Sequence, residues 1–357
     1  MSQRTETFTF KEEQLRTWCM QVLKEGCGVK DDYAFAVTDA LVEANMRGVD
    51  THGINLLQYY VRRYRSNKAE GLLPRQILVT GDMPALCQID GGGNMGPAVS
   101  VFAMNKAMEK AVVSGVGMAL VENSSHYGAA GYYTCLAAKK GFIGFSTTTA
   151  YKVMTPWGGL ENFLGNNPFS VAFPWKEFPI MLDISNSVTA RNKVINYARE
   201  GLPLPEGWAT DEEGNPTKDA QKALKGFLQP IAGYKGVGIA LMIEIMLGSL
   251  TRGQFSRGIK PNSEPQGTQN IPHLFMALKP DCFMSKSEIE ANLEQFITDF
   301  RAVKRMKDVD KLLLPGEIEY IRSVERREKG VPLTKALVQE LNAFSAEINT
   351  EPLLAGV

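Results

Sequence analysis

The sequence predicts a mixed α/β protein with helices at both ends and a strand-rich middle. Three observations predict it. Residues 11–25 and 31–47 carry apolar side chains at three- and four-residue spacing (Leu15, Trp18, Cys19, Val22 and Leu23, then Phe35, Val37, Leu41, Val42 and Ala44), the pattern of helices with one buried face. Helical patterning returns in 288–303, 317–329 and 334–348. Between these ends lie short apolar segments, 116–121, 144–149, 180–185 and 273–278, which read as strands.

Composition narrows the class. The 357 residues are 44% hydrophobic and 22% charged, ordinary values for a globular chain long enough for two domains. Thirty-nine basic residues balance thirty-nine acidic ones, so no overall field gathers nucleic acid or an anionic membrane, and small molecules or further copies of the chain are the expected partners. Five scattered cysteines without CxxC spacing argue against a disulfide framework and against a zinc site. Residues 1–10 are polar, no uncharged apolar run reaches membrane-spanning length, and a cytoplasmic protein is expected.

In chain order, the first two helices are followed by Arg47-Gly-Val-Asp-Thr-His-Gly53, which puts one of three histidines where the backbone can bend. His52 there suits proton exchange near neutral pH, while a plain helix cap, with Asp50 starting the next helix, explains the same residues. Residues 54–64 read as a helix and 77–90 as two short strands. Gly91-Gly-Gly-Asn-Met-Gly96 matches GxGxxG between a strand and a helix, and Glu122 ends the next strand where a ribose-binding acid would sit. Its spacing is long, and a glycine turn into a helix with Pro97 in its first turn is the competing reading. His126 lies in a Ser- and Gly-rich stretch that reads as a helix start with Ser124 or Ser125 as N-cap. Asp183 closes a strand and precedes Ser185, Asn186, Ser187 and Thr189. Residues 203–219 read as an exposed loop, and 233–238, with Lys235, as a helix start able to hold an anion. His273, before an apolar run, reads as structural.

Together these residues resemble the type 2 malate/L-lactate dehydrogenase family, which also includes ureidoglycolate, sulfolactate and diketogulonate oxidoreductases and a cyclic-imine reductase. The carriers are Val49-Asp-Thr-His-Gly53, Asn123-Ser-Ser-His-Tyr-Gly-Ala-Ala-Gly131, Pro156-Trp-Gly-Gly159 with Gly165-Asn-Asn-Pro168, the run 183–194, 207–217, and Gly233-Tyr-Lys-Gly-Val-Gly238, in the family's order. The resemblance implies a non-Rossmann NAD(P)-binding domain on a largely antiparallel sheet (121–284) and a helical, substrate and dimerisation domain made from both chain ends (1–120 with 285–357). It places Gly91 to Gly96 outside the cofactor site.

By position, the resemblance makes His52 the group that exchanges the substrate proton and Asp183 its supporting carboxylate. His126 matches a second histidine, in the substrate site, that competes for the proton-acceptor role. Ile180, Leu182, Asp183, Ile184, Ser185, Tyr234, Lys235, Pro315, Gly316 and Glu317 match segments lining NAD or NADP. The implied activity is interconversion of a 2-hydroxy acid and its 2-oxo acid by a homodimer. Leu56 stands where many members carry a carboxylate-clamping arginine, and Arg47 is the candidate to replace it. Asn166 and Ser185-Asn186 also depart from the family pattern. Reduction of a cyclic imine or diketo sugar acid, and a non-catalytic oligomeric binding protein, are the alternatives.

Overall fold

The computed structural model describes residues 6–73 and 75–354. Its centre is a seven-stranded sheet in the spatial order Leu78–Asp82, Leu86–Asp90, Val116–Ser124, Ile271–Leu278, Ile143–Thr148, Phe169–Phe173, Ile180–Ile184. Every neighbouring pair is antiparallel except Leu86–Asp90 with Val116–Ser124. The mixed α/β expectation and the largely antiparallel sheet therefore both hold. Side chains alternate along each strand. His273, Phe275 and Ala277 are fully buried on the central strand, and the latter two pack under helices Gly96–Ser114 and Ala130–Lys139. Leu274 faces the other way, toward Ile243 and Leu247 of helix Tyr234–Leu250. Each such buried Phe, Leu or Ile contributes roughly 1.5–3 kcal/mol.

The two chain ends meet. Strand Thr7–Phe10 pairs antiparallel with Val331–Thr334, and helices Glu12–Lys24, Asp31–Met46 and Leu57–Ala69 share one core with Leu341 and Phe344 of helix Lys335–Glu347. The boundary expected at 120 falls inside strand Val116–Ser124, and Leu78–Asp90 joins the same sheet. The sheet thus draws strands from both sides of it. Helix Lys286–Ala302 packs through Ile297 on Phe178 and Leu314, beside the sheet's edge strand.

Several local expectations change. The helix predicted after His126 begins at Ala130, not beside Ser124 or Ser125. Those hydroxyls are engaged elsewhere: Ser124 Oγ is 2.9 Å from His273 Nε2, and Ser125 Oγ accepts the Gly96 amide at 2.9 Å. The 203–219 stretch carries the short strands Ala209–Thr210 and Pro216–Thr217, with Leu204 and Ala209 buried. Asp50 caps no helix; it pairs with Arg326 of helix Glu317–Lys329.

The glycine-rich stretch does turn a strand into a helix and then a parallel strand, as a dinucleotide fingerprint would. Its amides, however, are already occupied. Gly91 and Gly93 donate to the carbonyls of Glu122 and Asn123, Gly92 to Asp90, and Gly96 to Ser125. Glu122 is buried and accepts the Arg252 amide at 2.8 Å. No phosphate cradle and no ribose acid remain. What Gly96 provides is close approach: a Cβ there would overlap the carbonyls of Ser125 and His126. The motif seats the loop that carries His126.

Candidate active site

His52 sits in a one-turn 3-10 helix, Asp50–His52, after helix Asp31–Met46. The turn is held from two sides. Asn45 donates to Asp50 Oδ1 at 2.7 Å and accepts the Ile54 amide at 2.8 Å. Arg326 donates to both Asp50 carboxylate oxygens, at 2.6 and 2.9 Å. Gly53 is needed because a Cβ would overlap the Asn45 amide group. The ring's Nδ1 lies 3.0 Å from its neighbour's hydroxyl, Thr51 Oγ1.

His126 reaches the same cleft from the other side. The two imidazoles stack with centroids 6.0 Å apart and planes 17° from parallel. His126 Nδ1 is 2.8 Å from the Tyr60 hydroxyl and 3.4 Å from the Gly128 amide, while Gln269 Oε1 accepts its backbone N–H at 3.1 Å. Both residues are half-buried. Desolvation holds both neutral: His52 is lowered to about 4, and His126, by burial and then by His52, to about 3.

Asp183 lies on the sheet's edge strand, Ile180–Ile184, and its Oδ2 accepts the Gly131 amide at 2.7 Å. It therefore caps helix Ala130–Lys139, whose own N-cap residue, Ala129, has no side chain for the purpose. Burial raises the carboxyl to about 6, against the lowering pull of the Gly131 hydrogen bond and of Arg47. No hydrogen bond joins Asp183 to His52, so its expected support of that ring is not a direct contact in this chain; Thr51 makes the contact instead. Asp183 is tied to His126 through the chain: the His126 loop leads into the helix that Asp183 caps.

Arg47 does not enter the cleft as a free clamp. Its Nη1 is 3.3 Å from Cys135 Sγ and its Nε 3.9 Å from Glu43, with the Asp183 charge near enough to matter. Leu56 is 3% exposed, packed into the helical core.

The expected cofactor segments gather along one edge. Met181 N donates to Pro315 O at 2.9 Å, and Gly316, at φ +83°, lies so close that a Cβ would sit 3.1 Å from the Met181 backbone. Beyond the strand, Val188 N donates to Gln229 O and Ile231 N to Asn186 O, which brings up Tyr234 and Lys235 at the start of their helix. Leu182, Tyr234 and Lys235 are exposed, while Ile180, Ile184 and Ser185 are half-buried. Glu317 is not free: it is 2% exposed, accepts the Leu314 amide at 2.9 Å, and is ion-paired with Arg301 and Lys311. It holds the 315–316 turn rather than offering a carboxylate.

Sequence reasoning missed Tyr60, Asn45, Gln269 and Arg326. Only Tyr60 left a local signal, an aromatic one turn into a helix eight residues after His52. The others act across 281, 143 or 9 residues of chain, and their partners are invisible in one dimension. His273, read as structural, is fully buried, 2.7 Å from Thr148 Oγ1 and stacked on Tyr127.

The model of the malate/L-lactate dehydrogenase family matches residues 10–342. The chain belongs to that family. It is 33% identical over 350 residues to a malate dehydrogenase of Pyrococcus horikoshii, covering 96% of each chain. It is 30% identical over 325 residues to a (2R)-3-sulfolactate dehydrogenase (NADP(+)) of Chromohalobacter salexigens, covering 90% of this chain and 93% of that one. The solved sulfolactate dehydrogenase of Methanocaldococcus jannaschii superposes with a TM-score of 0.88 at 31% identity, covering 97% of this chain and 98% of that one. Among the described residues no helix is long and apolar enough to cross a membrane.

Proposed function

We propose that this dehydrogenase interconverts a 2-hydroxy acid and its 2-oxo acid with NAD or NADP, malate and lactate being the first substrates to test and sulfolactate close behind. The observation that carries the reading is the pair of facing imidazoles, to which strand Ile180–Ile184 and the start of helix Tyr234–Leu250 add a half-apolar, half-polar strip.

The strip suits a nicotinamide dinucleotide. Exposed Leu182 offers a surface for a flat ring, and Lys235 at a helix N-terminus offers charge to a pyrophosphate. Asn186 Oδ1, Thr149 Oγ1 and Thr189 Oγ1 are buried polar atoms without a partner among the described residues, and a polar ligand would satisfy them. Such a cofactor, when bound, takes or supplies the hydride.

The chain's own part is the proton. In the oxidative direction neutral His52 takes the hydroxyl proton at Nε2, while Thr51 Oγ1 accepts the ring's Nδ1–H before and after the transfer. In the reductive direction His52 returns it to the oxygen that becomes the alcohol. An anionic substrate beside it raises the pKa that burial has lowered, so protonation and substrate binding reinforce one another. The N-terminus of helix Ala130–Lys139 adds partial positive charge beside the Asp183 carboxylate that caps it.

Leu56 favours a second reading: without an arginine at that position, a cyclic imine or diketo sugar acid is the alternative acceptor. Helix Tyr234–Leu250 leaves Ile239, Met242, Ile245 and Leu250 exposed, an apolar face suited to a second copy of the chain, which light scattering tests.

The experiment is oxidation of NADH and of NADPH, followed by absorbance, with oxaloacetate, pyruvate, sulfopyruvate, a cyclic imine and a diketo sugar acid. Turnover of an oxo acid is expected. Turnover of the imine or the diketo acid, without turnover of the 2-oxo acids, would replace the first reading by the second. Cofactor binding with no turnover of any acceptor would contradict both.

A further inference from the structure

Two hydrogen-bonding partners converge on one nitrogen of His126, and they differ in what they are able to do. Gly128 offers a backbone N–H, 3.4 Å from Nδ1, which donates and never accepts. Nδ1 must therefore carry the lone pair. The Tyr60 hydroxyl, 2.8 Å from the same nitrogen, is then a donor as well. Tyr60 is 4% exposed, and burial pushes its phenol well above the ordinary value, so it keeps its proton. A neutral imidazole with an accepting Nδ1 carries its hydrogen on Nε2.

We propose that Tyr60 is a positioning residue that fixes His126 as the Nε2–H tautomer, so that His126 meets the substrate as a neutral hydrogen-bond donor to a carboxylate or carbonyl oxygen. Resting on the hydride-transfer reading above, this divides the labour between the histidines. To act as a base, His126 would have to gain a proton at Nδ1, which sets an N–H against the Gly128 amide and forces the Tyr60 hydroxyl to turn from donor to acceptor. His52 has no such lock. Its Nδ1 faces Thr51 Oγ1, and a threonine hydroxyl rotates to donate or accept as the ring demands. Stacked 6.0 Å apart, one ring is free to change protonation and the other is held in one state. The donor also supplies part of what the absent arginine at Leu56 would give a substrate oxygen.

The chain has three histidines, so the imidazole nitrogens are resolvable by two-bond 1H–15N correlation on the whole protein. At pH 7 the His126 signals are expected to be those of Nε2–H. In Tyr60→Phe, which keeps the buried volume, only the long amide contact remains. A population of the Nδ1–H form then appears, and kcat/KM for the oxo acid falls about tenfold while the cofactor Kd holds. His126→Gln, which restores a neutral N–H donor without a titratable group, should retain at least tenfold more activity than His126→Ala. A wild-type spectrum showing Nδ1–H or an imidazolium overturns the proposal, with no substrate needed. So does a Tyr60→Phe spectrum and rate unchanged from wild type, or a His126→Gln variant no better than His126→Ala. The tautomer spectrum stands apart from the hydride-transfer reading, which fails only if no acceptor is turned over.

Discussion

Asp183 shows how one side chain is read differently in one dimension and in three. Sequence patterning places it at a strand end among small polar residues, and family position makes it a partner of His52. The structure gives its carboxylate a helix to cap, through a bond to Gly131 across 52 residues. Capping by a remote acid leaves no local sign, which is why sequence patterning puts the helix start too early, at serines that look like N-caps. Two outcomes follow from the geometry. Asp183→Ala removes the acceptor and costs about 1 kcal/mol in a denaturant titration, whereas Asp183→Asn keeps an acceptor for the Gly131 amide. The carboxyl is raised to about 6 from 3.8, so the stability it contributes is full below 3.8 and lost as pH rises through 6. Asp183→Asn is therefore expected to match or exceed the parent's melting temperature at pH 8. A lower value there would contradict the assigned desolvation. Gly131→Ala puts a Cβ 2.7 Å from Met181 Sδ and 2.8 Å from Asp183 Oδ2, and about 1–3 kcal/mol of destabilisation is expected by the same titration.

At the scale of elements, the turn Asp50–His52 carries the chemistry, and its rigidity comes from outside itself. The sequence shows a bendable, glycine-flanked histidine; it does not show that Asn45 bridges Asp50 and Ile54, or that Arg326, from the far end of the chain, grips Asp50. Asn45→Ala leaves the buried Ile54 amide unpaired and should cost about 1–3 kcal/mol. It should also lower kcat at least tenfold while the cofactor Kd stays fixed, since the loosened turn misplaces His52. Unchanged kcat would mean that the turn is rigid without Asn45. The glycine stretch 91–96 teaches the reverse lesson. Its strand-turn-helix-strand reading is correct as local structure, and the ligand inference fails only because the protein's own carbonyls take its amides. Glycine spacing reports a tight turn; whether its N–H groups stay free is decided by what packs against them.

For the whole molecule, helices and strands are legible because apolar periodicity is local. The order of the strands is not, since Ile271–Leu278 enters between two strands laid down more than a hundred residues earlier. The mixed class was open to periodicity, and the antiparallel sheet to family resemblance alone. The buried histidines set a whole-molecule pH response. His273, lowered to about 3 by burial, refuses a proton that the unfolded chain accepts below about 6.5. Stability from this group is present above 6.5 and is lost as pH falls toward its folded value, by about 1.4 kcal/mol per pH unit at its steepest. His52 and His126 act in the same direction. Melting temperature should thus fall between pH 6.5 and 4, less steeply in His273→Asn if the fold accepts it. A flat profile would contradict the neutral state assigned to these rings.

The account rests on His52 as the group that moves the proton while the cofactor moves the hydride. The most direct test is the single-turnover rate of cofactor oxidation by the accepted oxo acid, measured by stopped flow in the parent and in His52→Gln, with cofactor affinity measured separately. The account predicts a loss of about 10²- to 10⁴-fold in that rate with cofactor Kd unchanged. A His52→Gln variant that turns over at the parent's rate would contradict it.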